Sequence, residues 1–270
     1  MRYKWFWGVL AAAVFAVLFS LPARADSASA VWPQTGQTIR QDGKMKIEAS
    51  HTADGYFMAA VSSKTSKRIK LSITKGDTTL RYDLDGGGDY AIIPLQLGSG
   101  SYQITLYENT SGKKYATAGK ITLNVQLARE DAAFLVPSQY VSYTLLTQAV
   151  AKADELCAGK SEKDAYKTVC DFMKSYFVYD YVKAITVTAG ALPDIDGCYA
   201  KQMGICQDLS AVMVCMLRTQ GIPARLMIGY VGKNYHAWTS STVGGEEMFF
   251  DPTAALNAIS GKEYSLERYY

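Results

Sequence analysis

From about Val31 to Leu127, apolar and polar residues alternate with period two. Arg68-Ile69-Lys70-Leu71-Ser72-Ile73 and Lys120-Ile121-Thr122-Leu123-Asn124-Val125-Gln126-Leu127 alternate cleanly, and Tyr102, Ile104 and Leu106 repeat the rhythm. Such alternation turns one face of a strand inward and the other to water. Further strands are predicted near Lys44–Ala49, Tyr56–Val61, Thr78–Leu84 and Tyr90–Pro94, punctuated by Gly86-Gly87-Gly88 and Gly98-Ser99-Gly100. About seven short strands in about 100 residues predict an all-β, immunoglobulin-like sandwich over 26–128, without the Cys–Trp–Cys signature of antibody domains.

After Leu127 the period lengthens. Tyr140 to Leu156 reads as helix, although Val141, Tyr143 and Thr144 are poor helix starters. A second helix opens at Ser161, with Asp164 completing an approximate capping box, and carries Tyr166, Val169, Phe172, Met173, Tyr176 and Phe177 on one stripe. A loop is expected around Pro193, Asp194, Asp196 and Gly197. Asp194-Ile195-Asp196-Gly197 lacks the later ligands of a calcium loop and reads as a solvated turn. Leu209, Val212, Met213, Met216 and Leu217 then mark an amphipathic helix that begins at Cys206 and stops before Gly221 and Pro223. Strands follow at Ala224–Val231, around His236, and at Met248–Asp251. The chain is therefore multi-domain, with an α+β unit assigned to 129–270.

Charge sharpens the picture at one end. The 270 residues carry a formal net charge of +3, which Arg2, Lys4 and Arg24 account for alone. Residues 26–270 balance 25 basic against 25 acidic side chains, which argues against nucleic acid as a partner. Arg2 and Lys4 precede an uncharged run from Trp5 to Pro22 and a small-residue site, Ala23-Arg24-Ala25. That order is a secretory leader over 1–25, cleaved after Ala25, and it places the mature protein outside the cell or at its surface. Membrane contact is expected only if this segment is retained.

The five cysteines, Cys157, Cys170, Cys198, Cys206 and Cys215, all lie in the second half. Their number is odd, no CxxC pair occurs, and neither a metal site nor a cofactor is expected. Cys215 reads as a core thiol, and spacing leaves any pairing among Cys157, Cys170 and Cys198 open. Cys206 differs because it stands at a helix start, with Gly204 expected to turn the chain tightly into it. The partial positive charge of a helix N-terminus favours a thiolate over a thiol. A nucleophile also needs a base. Of the two histidines, His51 sits in a polar turn and is expected to be solvated, whereas His236 sits on a strand. If that strand and the next pair about Gly244-Gly245, His236 and Asp251 lie roughly opposite each other, where a carboxylate can orient an imidazole.

Four blocks carry a family resemblance: Gly204-Ile205-Cys206; Leu217-Arg218-Thr219-Gln220-Gly221-Ile222-Pro223-Ala224-Arg225; His236-Ala237-Trp238; and Phe250-Asp251-Pro252-Thr253. In this order they resemble the transglutaminase-like superfamily, which shares the papain-like core, over roughly residues 150–255. Tyr179-Asp180 fits the same pattern, while Met248-Phe249-Phe250 stands where members often carry a tryptophan. The resemblance implies Cys206 as nucleophile, His236 as general base and acid, and Asp251 as the orienting carboxylate. It further implies an exported thiol-dependent amide hydrolase or acyltransferase acting on peptide or protein substrates, at the cell wall among other places. The Cys206 backbone N–H is an expected oxyanion donor. Tyr199 and Gln202 are candidates for the second, with core and surface roles favoured for them. The alternative is a non-catalytic adhesion protein that keeps the fold, a reading that leaves all three site residues without a reason to be there.

Overall fold

The computed structural model describes residues 36–257 and 263–270. The leader expected over 1–25 lies outside the described residues. Eight strands open the fold: β1 (Ile39–Asp42), β2 (Met45–Glu48), β3 (Tyr56–Val61), β4 (Ile69–Lys75), β5 (Thr78–Leu84), β6 (Ala91–Pro94), β7 (Gly100–Ser111) and β8 (Lys114–Val125). They form two four-stranded antiparallel sheets, β1-β2-β3-β6 and β5-β4-β7-β8. Ile47, Phe57 and Ile93 of the first sheet share one core with Leu71, Ile73, Ile104 and Leu106 of the second. The alternating residues thus face inward as the pattern requires. Strand β1 was not anticipated: all four of its residues are exposed, so no apolar rhythm marks it. His51 does sit in a turn, yet it is not solvated. Its ring lies flat on Tyr56, with centroids 5.0 Å apart, and its Nδ1 meets Asp54 at 2.9 Å.

The second half begins with a 3-10 turn at Ala132–Phe134, and its first helix, α1 (Gln148–Cys157), starts eight residues later than the Tyr140 onset expected from the sequence. Local hydrogen bonds win over helix in the intervening stretch. Ser138 Oγ accepts from the amides of Tyr140 and Val141, and Thr147 Oγ1 accepts from Thr144 N. Tyr140 is also committed elsewhere, stacked on Tyr270 with centroids 3.5 Å apart. Helix α2 (Glu162–Tyr176) begins as predicted, with Ser161 Oγ accepting from Asp164 N at 3.2 Å.

Short elements follow: β9 (Val178–Tyr179), α3 (Tyr181–Thr186), α4 (Ile195–Lys201) and β10 (Met203–Gly204), with β9 and β10 paired in parallel. The expected solvated turn at Asp194 is instead the start of α4, because Asp194 Oδ1 accepts from Gly197 N at 2.9 Å and caps it. Helix α5 (Cys206–Thr219) packs against the antiparallel sheet β13-β12-β11-β14, built from β11 (Ala224–Val231), β12 (Asn234–Val243), β13 (Glu246–Phe250) and β14 (Tyr264–Tyr269). A six-residue helix, α6 (Pro252–Asn257), follows β13. The predicted stripe of α5 is fully buried, but so is every other residue from Asp208 to Thr219. It is a central helix rather than an amphipathic one, covered by α1, α2 and α4 on the sides away from the sheet.

Arg218 locks this helix to its surroundings. Its buried guanidinium donates to the carbonyls of Ala224, Val136 and Tyr270, joining α5 to β11, to the segment that precedes α1 and to Tyr270. Burial lowers its pKa to about 10, still cationic at neutral pH. All five cysteines are free thiols, so no bridge links Cys157, Cys170 or Cys198. Cys215 is buried, as expected. Among the described residues no helix is long and apolar enough to cross a membrane.

Candidate active site

Cys206 is the only one of the five thiols that is not buried. It occupies the first turn of α5, whose leading N–H groups have no partner within the helix. Asp208, wholly buried, braces this end. Its Oδ2 accepts from Ile205 N at 3.0 Å, Oδ1 accepts from Asp194 N at 3.0 Å, and Lys183 Nζ of α3 lies 2.7 Å from Oδ2. Gly204 leads the chain into α5 without a left-handed conformation. A β-carbon there would lie 2.6 Å from Cys198 Sγ and 2.9 Å from Asp208 Cβ, so glycine is needed for close packing.

The two strands pair about Gly244-Gly245, as expected: Thr239 pairs with Phe250 and Val243 with Glu246. Continued past Phe250, that register would set Asp251 across from Trp238. Asp251 instead leaves the sheet and caps α6, with Oδ1 accepting from Ala254 N at 3.0 Å and Pro252 in the first helical position. Oδ2 is left free to meet His236 Nε2, at 2.7 Å. The Asp-Pro-Thr block is thus a helix cap whose second carboxylate oxygen serves the imidazole.

Burial alone would depress the His236 pKa, but hydrogen bonds with Asp251 and Cys206, and their charge, outweigh it and lift the value to about 9. Asp251 feels the mirror image. Burial pushes its carboxyl up, while His236, Tyr264 and the Ala254 amide together hold it below the usual carboxylate range. Trp238, two residues along β12, stacks near the imidazole with centroids 6.4 Å apart, as period two predicts.

Cys206, His236 and Asp251 line one cleft of about 320 Å3, together with Tyr179, Tyr181, Tyr235 and Tyr264. The sequence reading missed Tyr264, whose hydroxyl donates to Asp251 Oδ2 at 2.7 Å. It lies on β14 beyond any motif, and its ring packs edge-on against Trp238 and Phe249. Asp208 was legible as an acid three residues after a helix cap, and Lys183 carried no signal. Tyr199 and Gln202 do not line the cleft. Tyr199 is buried against Tyr176, and Gln202 ends α4 in the left-handed conformation. Tyr179 does line it, aligned beside Gly204 by the β9–β10 ladder. Burial first, and then the charge of Cys206, suppress ionisation of its phenol to a pKa of about 12.

Residues 150–252 match the family model of the transglutaminase-like superfamily. Among solved structures, the chain is similar to a proposed cysteine protease from Cytophaga hutchinsonii (14% identity, 86% of this chain and 90% of that one, TM-score 0.39). It is also similar to the periplasmic domain of TgpA from Pseudomonas aeruginosa bound to ethylmercury (15% identity, 82% and 76%, TM-score 0.38). A third is red sea bream transglutaminase (13% identity, 73% and 48%, TM-score 0.29). No curated protein matches the chain by sequence.

Proposed function

From the premise that residues 150–252 form a transglutaminase-like domain, we propose that the protein is a thiol-dependent amide hydrolase that works through a cysteine thioester on peptide or protein amides. The observation that carries this reading is the 2.7 Å contact of His236 Nε2 with Asp251 Oδ2 in the cleft that also holds Cys206. With Nε2 occupied by Asp251, the other ring nitrogen is the one available to the sulfur.

In the first half-reaction the Cys206 sulfur attacks the amide carbon, and the carbonyl electrons move to oxygen. The Cys206 backbone N–H at the start of α5 receives that oxyanion, with the neutral Tyr179 hydroxyl assigned as the second donor. As the C–N bond breaks, the His236 imidazolium gives its proton to the nitrogen, which leaves as a neutral amine. Asp251 fixes the ring and its tautomer throughout. In the second half-reaction His236 takes a proton from water, the resulting hydroxide resolves the thioester, and the carboxylic acid is released. An amine in place of water gives transamidation.

The leader pattern at Arg2 to Ala25 supports export, so the substrate is extracytoplasmic. The strand order β2-β3-β6 against β5-β4-β7-β8 supports reading the first unit as immunoglobulin-like. The test is incubation with glutamine-containing and general peptides, with and without a primary amine, while following ammonia, new amino termini and adducts. Turnover that Cys206→Ala abolishes is expected. Equal signals from wild type and Cys206→Ala would end the reading.

A further inference from the structure

A second groove lies away from Cys206. On the outer face of the β5-β4-β7-β8 sheet a cavity of about 360 Å3 is lined by Lys70, Ser72, Arg81, Asp83, Tyr107 and Tyr115. The strand rhythm puts these residues there. Ile69, Leu71 and Ile73 of β4 point into the core, so Lys70 and Ser72 point out, and register sets Lys70 beside both Asp83 and Tyr107 and Ser72 beside Arg81.

Among the described residues, three of these side chains have no protein partner. Lys70 is ion-paired with Asp83. Among the described residues, however, Arg81 has no ion pair, and neither the Tyr107 nor the Tyr115 ring has a ring contact or side-chain hydrogen bond. Half-buried tyrosines on the solvent side of a sandwich expose apolar ring faces that water does not satisfy.

We propose that this groove binds an oligosaccharide bearing carboxylates. A sugar ring has an apolar C–H face that stacks on tyrosine and a rim of hydroxyls that both donate and accept. The groove offers that combination: two tyrosine rings, acceptors on Asp83 and Ser72, and donors on Lys70, Ser72 and the phenols. Arg81 supplies an unspent guanidinium suited to bidentate capture of a carboxylate. An added peptide strand would need the edge of the sheet rather than its face. A nucleic acid strand would need a track of free cations, and Asp83 already neutralises Lys70.

The test titrates the full-length chain with oligogalacturonate hexamer, cellohexaose and oligothymidylate by calorimetry. Oligogalacturonate is expected to bind, at least tenfold more weakly to Tyr107→Ala and to Arg81→Ala, and unchanged to the cleft variant Tyr181→Ala. Shifts of the Tyr115 and Arg81 resonances on titration of the wild type give a readout that needs no variant. No binding of oligogalacturonate, equal binding of cellohexaose, tighter binding of oligothymidylate, or a loss seen only in Tyr181→Ala would each overturn the proposal.

Discussion

Tyr264 donates its hydroxyl to the same oxygen of Asp251 that holds His236, each contact measuring 2.7 Å. The two donors arrive from different strands, β14 and β12, and Asp251 turns its other oxygen to the start of α6. The orienting carboxylate is thereby fixed from three sides.

Tyr264 therefore helps to keep Asp251 ionised. Its hydrogen bond is among the contacts that hold this carboxyl below the usual range, so Tyr264→Phe raises the Asp251 pKa. The acid limb of the pH–activity profile is expected to move to higher pH, with global stability changed by only about 1 kcal/mol. An unmoved acid limb with reduced activity at every pH would show that the hydroxyl acts otherwise.

The raised pKa of His236 links stability to pH. The value is about 9 in the folded protein against about 6.5 when unfolded, so the folded state binds this proton more tightly. The resulting stabilisation is complete below about pH 6.5 and is lost as pH rises through about 9, at most about 3 kcal/mol before solvent screening reduces it. Thermal midpoints measured across this window should fall more for wild type than for His236→Gln. Parallel curves would contradict the linkage. Activity should decline above about pH 9 as well, because the leaving amine then lacks its acid.

Gly204→Ala probes the packing behind the thiol. The new methyl meets Cys198 Sγ and Asp208 Cβ inside contact distance, so α5 or α4 must shift, at a cost of about 1–3 kcal/mol. Denaturant unfolding measures the loss. Adding Cys198→Ala makes room and is expected to recover part of it, a coupling that a purely conformational role for glycine would not produce.

Arg218→Met leaves the carbonyls of Ala224, Val136 and Tyr270 without their shared donor. Tyr270 O keeps the Leu226 amide as donor, but the loss of three charge-assisted bonds from a buried guanidinium still predicts about 3 kcal/mol or more in urea unfolding. Arg218→Lys is expected to recover little, since one ammonium cannot span a fork of three acceptors. A loss under about 1 kcal/mol for Arg218→Met would show that water replaces the guanidinium.

The strands of the first half were legible because one buried face enforces alternation, as at Ile69, Leu71 and Ile73. Strand β1 and the Tyr140 region were not, since exposure and long-range stacking on Tyr270 leave no local period. The roles of Cys206, His236 and Asp251 were suggested by the family resemblance, and the expected hairpin about Gly244-Gly245 forms but by itself would set Asp251 across from Trp238. What joins His236 and Asp251 is the cap of α6, a tertiary detail that hairpin arithmetic does not contain. Tyr264 and Lys183 reach the site from elements whose positions depend on the whole fold, whereas Asp208 stands on the helix of Cys206 itself.

The most direct measurement is the alkylation rate of each thiol in the full-length chain with iodoacetamide, from mildly acidic to neutral pH, in wild type and His236→Gln. Cys206 is expected to react at least roughly tenfold faster than a free cysteine near pH ~6, where an unassisted thiol is almost wholly protonated, and to lose that advantage in His236→Gln. The buried Cys157, Cys170, Cys198 and Cys215 should stay unmodified. A Cys206 that reacts no faster than a free thiol, or equally fast with and without His236, would contradict the account.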